Sequence, residues 1–252
     1  MTELFWLTDA QMERLKPFFP LSHGRPRVDD RRVLSGIIFV NRNGLRWRDA
    51  PPAYGPPKTL YNRWVRWSRM GIFARMLKVL AEQACDPSTV MIDATHLKAH
   101  RTAASLRGKK GAAGRLIGRT KGGLNSKLHA LADAKGRPLN LYLSAGPTSD
   151  YIGARALLPS MPKAQVLLAD RGYDADWFRD ALAQRDIVAC IPGRQTRKIL
   201  ITHNAALYRQ RHKIENAFAR LKDWRRVATR YDRCDDIFLS ACALAAMVIF
   251  WL

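Results

Sequence analysis

Two short apolar runs in this chain, Val90-Met91-Ile92 and Val166-Leu167-Leu168-Ala169, each end on an aspartate, Asp93 and Asp170. Runs of this length and content are strand-like. Strands are predicted over residues 89–93, 127–132, 139–144, 165–169 and 187–191, and helices over 150–158, 176–184 and 204–223. The second and third strands flank Asp133-Ala134-Lys135-Gly136-Arg137-Pro138, a hairpin signal. Three early strands followed by alternating strand and helix restrict this part of the chain to an α/β domain with a mixed sheet.

Residues 1 to about 85 read differently, as helices only. Thr8 and Gln11 form a capping box, with Leu7 and Met12 placed as a hydrophobic staple, so a helix starts here and ends near Pro17. A second helix fits 29–43, with Val33, Ile37 and Val40 inward and Gly44 as its stop. After the stiff turn 51–57, a third helix covers 58–70 and a fourth 72–84, and Asp86-Pro87-Ser88 marks the boundary between the regions 1–86 and 87–252. On the third helix Lys58, Asn62, Arg66 and Arg69 project within about 80° of one another, while Leu60, Trp64 and Trp67 lie opposite. Arg63 adds a further cation on the same helix. The bland reading is a solvated basic face on a core helix.

Charge decides between these readings. The 252 residues contain 43 lysines and arginines against 21 acids, a formal net charge of +22, which attracts polyanions with strong salt dependence. With that field, the helix–proline turn–helix order favours recognition of DNA. A basic membrane-surface protein would share the charge, but residues 4–7 are no secretory signal, and the apolar stretch 237–252 falls short of the ~20 residues that span a bilayer. That stretch is expected to be a buried C-terminal helix, with a subunit interface as the lesser option. Cys85, Cys190, Cys234 and Cys242 have neither zinc-module nor disulfide spacing and read as reduced cytosolic thiols. The segment 98–127 holds nine lysines and arginines, six glycines and no acid. It is either a disordered loop or, following Asp93 closely, one that closes over a phosphate backbone, with Arg119 and Lys121 among its contacts.

The last constellation is helical. At about 100° per residue, Tyr208, Arg211, Glu215 and Lys222 fall within an arc of roughly 60°. Ile214, Phe218 and Leu221 form the adjoining apolar stripe, so Glu215 sits at the rim of the core. Open α/β sheets place their sites at the carboxyl ends of strands, where Asp93 and Asp170 stand. Two strand acids and one helix acid suit hard divalent cations that assist phosphodiester chemistry. Without metal, three converging carboxylates would repel one another and raise at least one pKa. Taken singly, each acid reads as a solvated or capping group. Asp176 is assigned as the N-cap of the helix from Trp177, and Asp174 as a turn residue.

The order Asp93, Asp170, Glu215, the run Asp170-Arg171-Gly172-Tyr173 and the spacing of Tyr208, Arg211, Glu215 and Lys222 resemble the DDE transposases of bacterial insertion sequences, over essentially the whole chain. The resemblance implies a ribonuclease H-like catalytic domain over 87–252 behind a helix-turn-helix-like domain over 1–86. It implies two Mg2+ ions, with Mn2+ as an alternative, carried by Asp93, Asp170 and Glu215. The implied reaction is hydrolytic release of 3′-hydroxyl ends at terminal inverted repeats, then attack of those ends on target DNA. Tyr208, Arg211 and Lys222 would bind the transposon-end DNA. Pairing two ends implies a homodimer, and the setting is the bacterial cytoplasm, at the nucleoid. Glu215 follows Asp170 by only 45 positions, which leaves no room for the large insertion domain of some relatives, so functions assigned to that domain are not expected.

Other chemistries lack their residues. Tyr208 could be a covalent nucleophile, as in tyrosine recombinases or single-strand transposases. The latter also need two histidines separated by one residue, none of the six is so placed, and a packing and DNA-contact role is favoured. His96 and His100 have no third ligand and read as surface groups. The sole Gly-Lys step, Gly108-Lys109, has alanine at Ala103 where a Walker A loop needs glycine, so no nucleotide cofactor is expected. Two alternatives remain: a repeat-binding protein derived from a transposase that does not cut, and a structure-selective nuclease on the same scaffold.

Overall fold

The computed structural model describes residues 3–21, 28–105, 115–198 and 201–252. Its N-terminal third is helical: α1 (Asp9–Leu15), α2 (Asp30–Asn43), α3 (Pro57–Arg69) and α4 (Ile72–Ala84). Each begins or ends where local chemistry dictates. The Thr8–Gln11 capping box closes α1. Asp29 accepts from Arg31 N–H ahead of α2, and Gly44, at φ +69°, takes the left-handed conformation that stops it. Gly71, also left-handed, separates α3 from α4.

The rest of the chain supplies β1 (Thr89–Ala99), α5 (Arg101–Ala104), β2 (Gly118–Thr120), β3 (Gly123–Ala132), β4 (Pro138–Ala145), α6 (Asp150–Leu157), β5 (Val166–Ala169), α7 (Asp176–Ala183) and β6 (Val188–Cys190). After these come α8 (Ala205–Tyr208), α9 (His212–Lys222), α10 (Arg225–Ala228), β7 (Thr229–Arg230) and α11 (Asp235–Phe250). All seven strands form one sheet, ordered β2-β3-β1-β5-β6, with β4 also on β3 and β7 on the far end of β1. The strands β3, β1 and β4 pair antiparallel, whereas β1, β5 and β6 run parallel. Helices cover the sheet, as a mixed α/β fold requires.

One expectation about β1 needs correction. The predicted strand ends at Asp93, but β1 continues to Ala99, paired with β3 from Met91↔Ala132 to Lys98↔Asn125. Beyond Asp93 the polar–apolar alternation of Thr95, His96, Leu97 and Lys98 suits a strand with one solvated face, so the carboxylate does not end it. What ends there is the parallel neighbour: the last β1–β5 pair is Ile92↔Ala169. Asp93 and Asp170 are the next residues on the two strands, at the notch where β5 leaves β1.

The C-terminal helix α11 is enclosed by the subunit. Phe238, Ala241, Cys242 and Leu244 through Met247 have no exposed surface, and α11 packs on α2, α3, α4, α9 and β4. The same hydrophobic cluster runs from Leu7 through Trp64 and Trp67 to the strands β1, β3 and β5. Helix α11 thus joins the helical third to the sheet as a buried helix, with partly exposed apolar surface left only at Leu239 and at its end, Val248, Ile249 and Phe250. No helix among the described residues is long and apolar enough to cross a membrane.

Candidate active site

Three segments meet at the notch between β1 and β5. Asp93 is nearly buried, and its Oδ1 accepts from the Ala94 N–H at 2.8 Å. Asp170 starts a 3-10 turn over Arg171–Tyr173, with its Oδ1 accepting from the Gly172 N–H at 2.8 Å. Glu215 comes from α9, whose buried face of Ile214, Ala217, Phe218 and Leu221 sets it against the sheet. The β3–β4 hairpin fixes the start of that helix: Lys213 donates to the Ala134 carbonyl at 3.0 Å, and Gly136 lies so close to the Lys213 carbonyl that a Cβ there would be 2.6 Å from it. Asp133, which has no exposed surface, holds the hairpin by accepting from Lys135 and Arg137 N–H and from the Arg137 guanidinium.

The predicted helix 204–223 is divided into α8, a 3-10 turn over Arg209–Arg211 and α9. The four signature residues still face the notch. Arg211 donates to Asp93 Oδ2 at 2.7 Å and also pairs with Glu215, joining the strand acid to the helix acid. Tyr208 lies under that guanidinium, 5.8 Å from its ring centroid. Lys222 donates to Thr95 Oγ1 at 2.7 Å, two residues along β1 from Asp93.

The electrostatics match crowded acids. Burial pushes the Asp93 carboxyl up to about 6; Arg211 and the Ala94 N–H oppose this, and the charges of Asp170 and Glu215 add to it. Asp170 is also raised, by burial first and then by Asp150, against the Gly172 N–H and Arg211. The expected repulsion is therefore present, relieved in part by the Arg211 guanidinium, which stands between Asp93 and Glu215. Among the described residues no three acidic, imidazole or thiol groups close around a point able to hold an ion. The donor set itself, three carboxylates of which Asp170 and Glu215 both act on Asp93, is the hard oxygen chemistry that Mg2+ or Mn2+ takes.

Two neighbouring aspartates differ from expectation. Asp174 is no simple turn residue: its buried carboxylate accepts from Arg179 Nε at 2.8 Å and from Arg197 Nε and the Arg194 N–H at 2.7 Å. Asp176 is the first residue of α7, with no side-chain cap, because its carboxylate pairs with Arg197 at 2.7 Å. The loop carrying Arg194 and Arg197 is thereby pinned to the turn after Asp170, and Arg194 also donates to the Gly172 carbonyl at 3.3 Å. Nothing local in the sequence announced this hub; the partners lie up to 23 residues away.

Elsewhere, Lys58, Asn62, Arg66 and Arg69 are exposed on α3, and Leu60, Trp64 and Trp67 are buried beneath them. Arg63 turns aside, paired with Asp30 at 3.2 Å and 5.6 Å above the Trp67 ring. Arg119 and Lys121 are exposed at the β2–β3 turn, a hairpin signalled by Gly122-Gly123 and not the loop expected for this segment. Residues 106–114 of the basic segment lie outside the described residues. His96 is an exposed residue of β1 with Nε2 3.1 Å from the Gly146 carbonyl, and His100 caps α5.

Comparison with known proteins agrees with this architecture. A family model for the transposase DDE domain matches residues 84–251, and a model for putative transposases of the IS4/5 family matches residues 7–77. A putative transposase for insertion sequence element IS6501 from Brucella ovis is 35% identical over 130 residues, 51% of this chain and 99% of that protein. One for element IS402 from Burkholderia cepacia is 31% identical over 137 residues, 50% of this chain and 63% of its own. Among solved structures, a piggyBac transposase synaptic complex with hairpin DNA aligns with 97% of this chain and 72% of its own, at a TM-score of 0.51 and 10% identity, a likeness of fold. With both family models matched, over residues 7–77 and 84–251, and relatives among insertion-sequence transposases, the chain belongs to the DDE transposases of bacterial insertion sequences.

Proposed function

We propose that this transposase binds double-stranded DNA at terminal inverted repeats, cuts it by metal-assisted hydrolysis to free 3′-hydroxyl ends, and joins those ends to target DNA by transesterification. The observation that supports the reading is the arrangement at the notch: Asp93 on β1, Asp170 directly after the adjacent parallel strand β5, and Glu215 tied to Asp93 through Arg211. Asp93, Asp170 and Glu215 would hold two Mg2+ ions, or Mn2+. Such ions, when bound, activate an oxygen nucleophile and offset charge on the leaving oxygen. The chain's own part is to position and to neutralise. Buried Asp93, with its pKa near 6, is ionised at neutral pH, and Arg211 compensates its charge.

Tyr208, Arg211 and Lys222 line the same edge and would hold the transposon end beside the acids. The exposed face of α3, with Lys58, Asn62, Arg66 and Arg69, would read the repeat, and Arg119 and Lys121 would contact its backbone. In this division residues 1–86 recognise DNA and residues 87–252 cut it. Two subunits would pair the two ends, in the bacterial cytoplasm at the nucleoid. Because α11 packs on α2, α3 and α4, recognition is better tested by point changes on α3 than by removing residues 1–85, which would bare that helix.

The test is Mg2+-dependent nicking of a duplex carrying the element's terminal repeats, with binding measured in parallel. Asp93→Asn should abolish nicking and leave binding intact. Equal nicking by the variant would remove Asp93 from the mechanism, and specific binding with no nicking by the parent would favour the repeat-binding alternative.

A further inference from the structure

Tyr173 stands three residues after Asp170, on a turn that Asp170 itself builds: the Asp170 carboxylate accepts from the Gly172 N–H, and its carbonyl accepts from the Tyr173 N–H at 3.1 Å. The turn carries the phenol inward. Tyr173 has no exposed surface, and its ring packs by Phe178 with centroids 6.4 Å apart. Among the described residues its hydroxyl has no hydrogen-bond partner. An orphaned buried hydroxyl is uncommon and unfavourable, and phenylalanine would fill the same space without that penalty. The hydroxyl is not in apolar isolation either, because the charges of Asp150, Asp93, Asp170 and Arg211 all act on it. A phenol is protonated at neutral pH, so it can act as a donor.

The surroundings leave the turn little freedom. A Cβ at Gly172 would lie 2.8 Å from Asp170 Oδ1 and 3.1 Å from Asp150 Oδ2, so the backbone here is wedged between two carboxylates. Asp150 is paired with Lys127 at 3.3 Å. A donor fixed on such a turn, next to a carboxylate of the site and lacking an acceptor, suits an acceptor that arrives with a bound ion.

We propose that Tyr173 is a positioning residue of the metal site, its hydroxyl donating to an oxygen ligand of the divalent cation and so fixing that ligand's orientation. The inference rests on the reading of Asp93, Asp170 and Glu215 as metal ligands. Outer hydrogen-bond partners of this kind typically change metal affinity by about 10- to 100-fold.

The experiment is calorimetric titration of Mn2+ into the full chain, without DNA, for the parent, Tyr173→Phe and Asp170→Asn, with thermal unfolding of each metal-free protein. Tyr173→Phe should weaken Mn2+ binding at least about tenfold while its metal-free melting temperature stays level or rises, since an orphaned hydroxyl has been removed. Asp170→Asn should lose the binding. Mn2+ affinity of Tyr173→Phe within about twofold of the parent, beside loss in Asp170→Asn, would overturn the role of Tyr173 and leave the acids in place. A lower metal-free melting temperature for Tyr173→Phe would also overturn it, because the hydroxyl would then have a structural partner. Parental Mn2+ binding by Asp170→Asn would remove the metal site, and this inference with it.

Discussion

Replacing Asp174 by asparagine keeps the shape of the side chain and deletes its charge, at a point where three donors converge. The carboxylate has no exposed surface, and Arg179, Arg197 and the Arg194 N–H reach it at 2.7–2.8 Å. Burial alone would raise its pKa, but the Arg197, Arg194 and Arg179 hydrogen bonds outweigh burial and draw it from 3.8 down to about 2. A shift of nearly two units corresponds to about 2–3 kcal/mol of folding stability at neutral pH. The variant should therefore be less stable by about 2–3 kcal/mol, lowering the melting temperature of a chain this size by about 4–12 °C. Urea unfolding of parent and variant at pH 7, with equal dependence on urea, measures the difference. The folded value is depressed, so this stability is fully present above about pH 4 and is lost as pH falls towards 2. The gap between the two proteins should close over that interval. A variant within about 0.5 kcal/mol of the parent at pH 7, or a gap independent of pH, would refute the reasoning.

Two further predictions follow from the same geometry. Buried His129, with Nε2 2.8 Å from Ser144 Oγ, has its pKa lowered from 6.5 to about 4 by burial, so the folded protein resists a protonation that the unfolded chain accepts. Between pH 7 and 5 the parent should lose about 2 kcal/mol relative to His129→Gln in urea unfolding, and parallel pH profiles would contradict this. On α3, Arg66→Ala and Arg69→Ala should each weaken binding to repeat DNA and flatten its salt dependence by about one ion, with unchanged melting temperature; unchanged salt slopes would take this face off the DNA.

The parts of this molecule that the sequence announced are those with a local period. The α3 face, the strand acids and the arc from Tyr208 to Lys222 follow from 3.6-residue and strand periodicity, and the Thr8 and Gly44 helix boundaries from capping chemistry. The parts it concealed depend on distant partners. Asp93 reads as a strand end because its own residue type is a poor strand former, whereas the run to Ala99 is stabilised by β3, whose partners lie 27 to 35 residues on. Asp174 looked like a turn because Arg194 and Arg197 follow only after β6. Arg63 shares a helix with the exposed Lys58, Arg66 and Arg69, yet Asp30 on α2 and the Trp67 ring hold it inward. The enclosure of α11 by both halves of the chain had no local signature beyond apolarity, which fits an interface between subunits as well as a core.

The central claim is that Asp93, Asp170 and Glu215 act as ligands of one catalytic metal site, and a change of ligand chemistry tests it most directly. A thiolate at position 170 disfavours Mg2+ and accepts the softer Mn2+ far better. Measured on a repeat-bearing duplex, Asp170→Cys should cut negligibly in Mg2+ and regain cutting in Mn2+, raising the ratio of the two rates far above that of the parent. An unchanged Mn2+ to Mg2+ ratio in the cysteine variant would contradict the account.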